Sequence, residues 1–354
     1  MNKILIRVDA FEKVGYGHLK RCLILAESLR DKGEVPIFLV AGDDCAIKQV
    51  QDKGFDCMRI SCAASFNEQA ASIANDIPKT IRCVVSDIAH GVALNKPDGL
   101  ELYLRVLGNQ FEHVIIDAFG VQSLRQNLNA ITGRMIVSPY AGEDTEDRDV
   151  PYKVLLGPQY FMFDAAYSSV GVKEIKLHAH RVLVTCGGSD PTGVTRKVLA
   201  SLALCPKRTL EVRVIVSSGF SSVYRDEIHK DALRLPHDVK VIENLSHLAN
   251  EMMWCDIAIS TSGLTKYELA VTGTPAILLS IDASHYDVNQ AFSEIGSAMD
   301  LGVADDVSEK RLMESMLVLL DNQKLRRRQS ENGRKLVDGL GTKRVTESIF
   351  SLLQ

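Results

Sequence analysis

Short apolar runs alternate with helix-length segments along the whole chain, and this alternation limits the fold more than any other feature. In the first half, apolar runs at 3–8, 35–40, 56–60, 82–86, 112–116, 134–137 and 154–158 are separated by helical patterns at 18–32, 43–53, 67–75 and 98–107. Val35-Pro36-Ile37-Phe38-Leu39-Val40 is apolar throughout. That pattern suits a strand buried on both faces, hence a parallel sheet covered by helices. The second half repeats it, with strands expected at 181–185, 210–216, 239–242, 256–260 and 275–281 and helices up to 203, at 222–232 and at 245–253. Repeated β-α-β alternation predicts an α/β chain with two Rossmann-like, doubly wound parallel sheets. At 354 residues the chain exceeds the size that one core usually organises. We expect a first domain at 1–170, a linker at 171–180 and a second domain at 181–354, with the last helix able to pack back on the first. Ligands of such sheets bind beyond the carboxyl ends of the strands, so the two glycine-bearing edges are expected to face a central cleft.

Composition narrows the function classes. A net charge of -4 gives no reason to expect nucleic acid or an anionic membrane as partner. No apolar run approaches the roughly 18 residues that span a bilayer, so membrane insertion is not expected. Arg7, Asp9, Glu12 and Lys13 interrupt any apolar N-terminal segment, so no secretory leader is expected. The eight cysteines form no C-x-x-C pair, which suits reduced thiols and a cytoplasmic location. His178-Ala179-His180 reads as a metal pair or, more simply, as two solvated histidines. Neither a metal nor a cofactor is expected, and the chain reads as a monomer or weak homo-oligomer.

The first chemical motif is Gly15-Tyr16-Gly17-His18-Leu19-Lys20-Arg21, between the first strand and the first helix. Glycines there let the backbone turn sharply and approach a ligand. A helix start offers unpaired N–H groups to an anion. His18 can serve as a general acid or base, or can be merely a capping or exposed histidine. Asp9, His18, Asp87, His90 and Asp117 all follow strand ends and are expected on one rim. Two more turns lie in the second half. Gly187-Gly188-Ser189 follows a strand and precedes a helix. Ser260-Thr261-Ser262-Gly263-Leu264-Thr265 leads into a helix that carries Glu268. Main-chain N–H groups at such turns can take a diphosphate, and Glu268 can accept from two ribose hydroxyls. Taken alone, Glu268 is equally a solvated charge and the glycines a plain tight turn.

Read together, these motifs carry a resemblance. Ser262-Gly263-Leu264-Thr265…Glu268-Leu269-Ala270…Gly273-Thr274-Pro275 resembles the UDP-sugar site of GT-B glycosyltransferases of the MurG type. Arg7-Val8-Asp9, Gly15-Tyr16-Gly17-His18…Arg21 and Gly187-Gly188-Ser189-Asp190-Pro191 are closer to PseG nucleotide-sugar hydrolases and their SpsG-like relatives. The likeness continues through Leu156-Gly157-Pro158-Gln159-Tyr160, Asn289-Gln290 and Gly339-Leu340-Gly341…Arg344. It implies a GT-B fold and a nucleotide-sugar substrate, UDP foremost. It implies that His18 is the catalytic base, activating water for inverting attack on the anomeric carbon. It implies substrate contacts from Asp9, Gly15, Tyr16, Gly17, Arg21, Asp87, His90, Asp117, Asn289 and Gln290. Nucleotide contacts are implied for Gly187, Gly188, Ser189, Ser262, Gly263, Leu264, Thr265 and Glu268. The chain departs from PseG where Asp87-Ile88-Ala89-His90 lacks that family's tyrosine and Asp117-Ala118 lacks its second acid. Those departures point away from the pseudaminic acid precursor as substrate. The expected activity is hydrolysis of an activated amino- or deoxy-sugar in bacterial surface-glycan or nonulosonic acid biosynthesis. The alternatives are a glycosyltransferase using the same site and a non-catalytic binding protein.

Overall fold

The computed structural model describes residues 3–11, 14–61, 64–78, 80–88, 100–116, 134–142, 152–205, 208–243, 245 and 247–354. Two units result: Met1–Asp164 with Gly339–Gln354, and Ala165–Asp338.

The first unit runs β1 (Lys3–Ala10), α1 (Gly17–Asp31), β2 (Val35–Gly42), α2 (Asp44–Asp52), β3 (Asp56–Ile60), α3 (Phe66–Asp76), β4 (Ile81–Asp87), α4 (Leu100–Gln110), β5 (Glu112–Ile116), β6 (Met135–Ser138) and β7 (Lys153–Leu156). All seven strands pair in parallel, in the order β3-β2-β1-β4-β5-β6-β7. Side chains alternate across a strand. Ile4, Ile6 and Val8 therefore join Leu19, Leu25 and Leu29 of α1 on one face. Leu5 joins Leu39, Tyr103 and Leu104 on the other. Both faces are buried, which is why these strands read as continuous apolar runs.

The second unit opens with α5 (Ala165–Ser168), followed by β8 (Arg181–Thr185), α6 (Val194–Ala203), β9 (Glu211–Val216), α7 (Ser222–Leu233), β10 (Asp238–Glu243), α8 (Ala249–Trp254), β11 (Ile257–Thr261), α9 (Thr265–Val271), β12 (Ala276–Ser280), α10 (Ala283–Ile295), β13 (Met299–Val303), α11 (Glu309–Asp321) and α12 (Gln323–Leu336). Its six parallel strands are ordered β10-β9-β8-β11-β12-β13. In each sheet the winding reverses between the first and fourth strands, at β1/β4 and at β8/β11. That switch point opens a crevice at the carboxyl ends, where doubly wound sheets bind ligands.

The units divide at 164/165, a few residues before the expected linker at 171–180. Two buried cations tie that stretch to the second unit. Lys173 Nζ donates to the carbonyls of Met252 (2.5 Å) and Met253 (3.1 Å), and Arg326 donates to those of Lys176 and Leu177. The last helix, α13 (Gly341–Leu353), belongs to the first unit, where Val345, Ile349 and Leu353 enter the core beside α1. Its first residue has to be glycine, because a Cβ on Gly341 would lie 2.1 Å from the Phe161 carbonyl oxygen. Neither backbone can yield without breaking that packing. Gly341→Ala should therefore destabilise the protein by about 2–3 kcal/mol, the scale of severe overpacking, read as a lower melting temperature. A melting temperature equal to that of the native sequence would show that α13 is not locked at this point.

Candidate active site

The first constellation lies at the β1/β4 switch point. Phe11 bridges back to Gly15, whose φ of +82° a side chain would resist. The chain then enters α1 at Gly17. No side chain caps α1, so its leading N–H groups are left without that partner. His18 and Arg21 are three residues apart, hence on one face of the helix. Both reach Asp87, the last residue of β4. His18 Nδ1 lies 2.7 Å from Asp87 Oδ1. Arg21 donates through Nε and Nη2 to both carboxylate oxygens, at 2.5 Å each, and through Nη1 to the Tyr140 hydroxyl. The Asp87 side chain is fully buried and that of His18 is 11% exposed.

The short contact to an ionised carboxylate favours one histidine tautomer. A bare Nδ1 would point a lone pair at an ionised carboxylate, whereas an Nδ1–H donates to it. Arg21 Nη2 lies 3.0 Å from the same nitrogen and gives one of its two hydrogens to Asp87. Pairing with Asp87 thus favours a neutral His18 with its proton on Nδ1 and a lone pair on Nε2. Nε2 bonds no described residue. Burial alone would raise the Asp87 pKa, but Arg21 and His18 outweigh burial and hold the carboxyl well below the usual range. Asp87 thus stays ionised and orients His18.

This arrangement changes the reading of several residues. Asp87 was expected to meet substrate, but its oxygens are taken by His18, Arg21 and the Cys22 thiol (3.4 Å), and it has no exposed surface. Arg21 is likewise engaged by Asp87 and Tyr140 and acts behind His18. Asp9 sits on the opposite face of β1, 3% exposed, and accepts from the buried Arg7 at 2.7 Å, with Gln69 as Arg7's other partner. The Tyr16 hydroxyl donates to Asp43, which also caps α2. Gly17 begins α1 itself. His90 and Asp117 lie outside the described residues. Ser86 and His113, 2.8 Å apart, resemble a nucleophile and base, but both are fully buried beneath Tyr103, and burial pushes His113 down to about 3. They form a neutral structural bridge.

The second constellation lies at the β8/β11 switch point. Gly187 has φ +79°, and Gly188 is packed so closely that a Cβ on Gly219 would lie 2.6 Å from its carbonyl oxygen. The turn reaches α6 through Asp190, at φ +44°, whose carboxylate accepts from Val194 N (2.9 Å), Thr195 N (2.8 Å) and the Tyr224 hydroxyl (2.7 Å). The protein's own anion therefore occupies the α6 N-terminus, leaving the turn Gly187, Gly188 and Ser189 ahead of it. The turn after β11 differs. Ser262 accepts weakly from Ile281 N (3.4 Å), Gly263 has open space where a Cβ would be, and no side chain caps α9 after Leu264 and Thr265. Glu268 lies in the first turn of α9, 7% exposed.

Sequence reasoning missed Lys266, which sits nearly opposite Glu268 on the α9 wheel. Its ammonium is 3.2 Å from Asn289 Oδ1 and lies over the rings of Phe292 and Tyr267. Asn289, expected to meet substrate, is wholly buried, because its amide joins Lys266 to the Ser280 hydroxyl (3.0 Å). Gln290 next to it is exposed. Burial, partly offset by Asp300, pushes Lys266 down to about 7. Among the described residues no cluster of three or more His, Cys, Asp or Glu could hold a metal, and no helix is long and apolar enough to cross a membrane.

Comparisons agree on the architecture. The MurG structure from Acinetobacter baumannii superposes with a TM-score of 0.73, covering 99% of this chain and all of that one at 13% identity. The fold is that of the GT-B glycosyltransferases. In sequence, the chain is 28% identical over 203 residues to the spore coat polysaccharide biosynthesis protein SpsG of Bacillus subtilis, covering 57% of this chain and 59% of SpsG. Over 145 residues it is 35% identical to the UDP-N-acetylglucosamine–N-acetylmuramyl-(pentapeptide) pyrophosphoryl-undecaprenol N-acetylglucosamine transferase of Mannheimia succiniciproducens, covering 40% of this chain and 39% of that one. The chain spans less than two thirds of the length of the curated relatives it matches first. No family model matches it.

Two outcomes follow from these contacts. Asp87→Asn leaves Arg21 buried without its counter-charge and should cost about 3–5 kcal/mol of stability, measured by denaturant unfolding. A loss below about 1 kcal/mol would mean that the pair is not what holds α1 to β4. For Lys266 the sign is fixed by linkage. An unfolded lysine keeps its proton to about pH 10.4, whereas folded Lys266 releases it near 7. The unfolded state then binds more protons above pH 7, so stability rises with pH. From pH 7 to 9, unfolding free energy should rise by about 2 kcal/mol more in the native sequence than in Lys266→Met. Parallel pH profiles for the two proteins would contradict this placement of the ammonium.

Proposed function

We propose that this chain is a nucleotide-sugar hydrolase that releases a nucleoside diphosphate, UDP foremost, from an activated amino- or deoxy-sugar. The observation that carries the reading is His18, held by Asp87 with Nε2 unoccupied at a switch-point crevice. Support comes from the similarity to SpsG and to a transferase named for UDP-N-acetylglucosamine.

In this reading Nε2 accepts a proton from water as the water oxygen attacks the anomeric carbon. The carbon–oxygen bond to the diphosphate breaks, and its electron pair leaves with the nucleotide. Attack from the face opposite the leaving group inverts the centre. Asp87 stabilises the imidazolium that forms, and Arg21 keeps Asp87 ionised and aimed. The diphosphate takes main-chain N–H groups and hydroxyls of the turn Ser262-Gly263-Leu264-Thr265, with Gly187, Gly188 and Ser189 opposite. Fixed donors of this kind stabilise charge on a leaving group. Glu268 accepts from the ribose hydroxyls. Gly15 and Gly17 let backbone approach the sugar, and Gln290 is a further sugar contact. The setting is surface-glycan synthesis in the cytoplasm.

A glycosyltransferase is the second reading, favoured by the 35% identity to a transferase. An acceptor hydroxyl then replaces water, and His18 keeps its role.

Incubation with UDP-, CDP- and GDP-sugars, following nucleotide release with and without acceptor sugars, separates the readings. Hydrolysis releases nucleotide without an acceptor. Release only with an acceptor means transfer, and none under either condition removes both. His18→Ala should lower turnover about 10²–10⁴-fold with nucleotide affinity nearly intact. Glu268→Ala should weaken UDP binding about 10- to 150-fold, the loss of a charge-assisted bond. Native-like turnover in folded His18→Ala would remove the histidine from the mechanism, and unchanged calorimetric UDP affinity in Glu268→Ala would remove the ribose contact.

A further inference from the structure

The net charge of -4 conceals a local concentration of the opposite sign. Helix α12 carries six cations and one acid in its fourteen residues. Arg326 points inward and is consumed by the carbonyls of Leu319, Leu320, Lys176 and Leu177. The others follow helical spacing on the outer side. Lys324, Arg327, Arg328 and Lys335 are exposed and Arg334 is partly so. Gln329, Ser330 and Gly333 take the inner side, where Gly333 lies against Ala270 of α9. The outer face thus shows five cations against one acid, Glu331. Among the described residues, none of Lys324, Arg327, Arg328 and Lys335 forms an ion pair. By contrast, the half-buried Arg196 of α6 is matched by Glu227 and Asp231.

Apolar side chains stand beside these charges. The segment 171–177 runs along α12, fastened by Arg334 to the Gly171 carbonyl, by Gln323 to that of Ile175 and by Arg326 further on. Its Val172 is 80% exposed and its Leu177 is 66% exposed. Val172 and Ile175 share an open groove with Arg327, Arg334 and Lys335. Glu174 is the acid of this segment, offset by the exposed Lys176. Anchored apolar side chains flanking unpaired cations are the composition of a face that lies on an anionic bilayer, with aliphatic groups entering the headgroup boundary. A face for single-stranded nucleic acid would present aromatic rings for stacking, and neither α12 nor the segment 171–177 contains one.

We propose that the outer face of α12, with Val172 and Leu177, docks this chain onto an anionic lipid surface without inserting a helix. The complementarity is of charge: a local excess of four positive charges meets phosphate headgroups, and the two aliphatic side chains add contact area. The attachment is peripheral and falls as salt screens it.

The test is co-sedimentation of the full chain with vesicles of phosphatidylcholine alone, or of phosphatidylcholine mixed two to one with phosphatidylglycerol. Binding is expected to the mixed vesicles at low salt, with release at high salt and none to the neutral vesicles. Arg327→Gln with Arg328→Gln should lower partitioning about 30-fold, taking about 1 kcal/mol per cation near the surface and tenfold per 1.4 kcal/mol. Lys324→Gln with Lys335→Gln should do the same, with melting curves confirming the fold of each variant. No partitioning into the anionic vesicles overturns the proposal. So does partitioning of both double variants equal to that of the native sequence, or retention by double-stranded DNA in place of vesicles.

Discussion

A carboxylate with no exposed surface organises the crevice of the first unit. Asp87 ends β4 inside the protein, where an unpaired charge would be costly. It is tolerable because α1 delivers two nitrogen groups to it from one helix face, His18 and Arg21, while Tyr140 after β6 closes on Arg21. One ion pair therefore fixes the pitch of α1, the end of β4 and the chain leaving β6. It also favours Nδ1 of His18 as the nitrogen that holds the proton. The same contact supports the fold and orients His18.

The two units share a winding order but treat their turns differently. Asp43, Ser65, Ser221 and Ser308 cap α2, α3, α7 and α11. The α6 start is filled by Asp190. At α1 and at the turn into α9 no side chain intervenes. The α6 start is thus neutralised by the protein's own carboxylate, while the other two are left without a side-chain acceptor. Glycine is used with the same economy: Gly15 for a positive φ, Gly263 for open space, Gly341 for close contact with a carbonyl.

The architecture was legible in the sequence because parallel strands buried on two faces leave long apolar runs, and helices between them leave glycine stops such as Gly33 and Gly54. The position of His18 was legible for a related reason, since a glycine loop before a helix start is a local pattern. The role of Asp87 was not. It depends on the β1/β4 register, which pairs Val8 with Asp87, and on a helix turn reaching across that pairing. The partners of Asn289 (Lys266 and Ser280) and of Asp190 (the next helix and Tyr224) were not legible either, because tertiary packing sets them. The domain border was displaced because Lys173 and Arg326 act across about 80 and 150 residues of chain. Net charge likewise left the arrangement of α12 unread, since a sum carries no information on how that helix sorts its cations onto one face.

The central claim is that Asp87 holds His18 with its proton on Nδ1 and its lone pair on Nε2. Nitrogen-15 NMR of the histidine rings, with His18 assigned through His18→Gln, reads that tautomer directly from the two ring-nitrogen shifts at a pH where the ring is neutral. The account predicts a protonated Nδ1 and a bare Nε2, and a loss of that preference in Asp87→Asn. A protonated Nε2 in the native sequence would contradict it, because the nitrogen assigned to take a proton from water would already carry one.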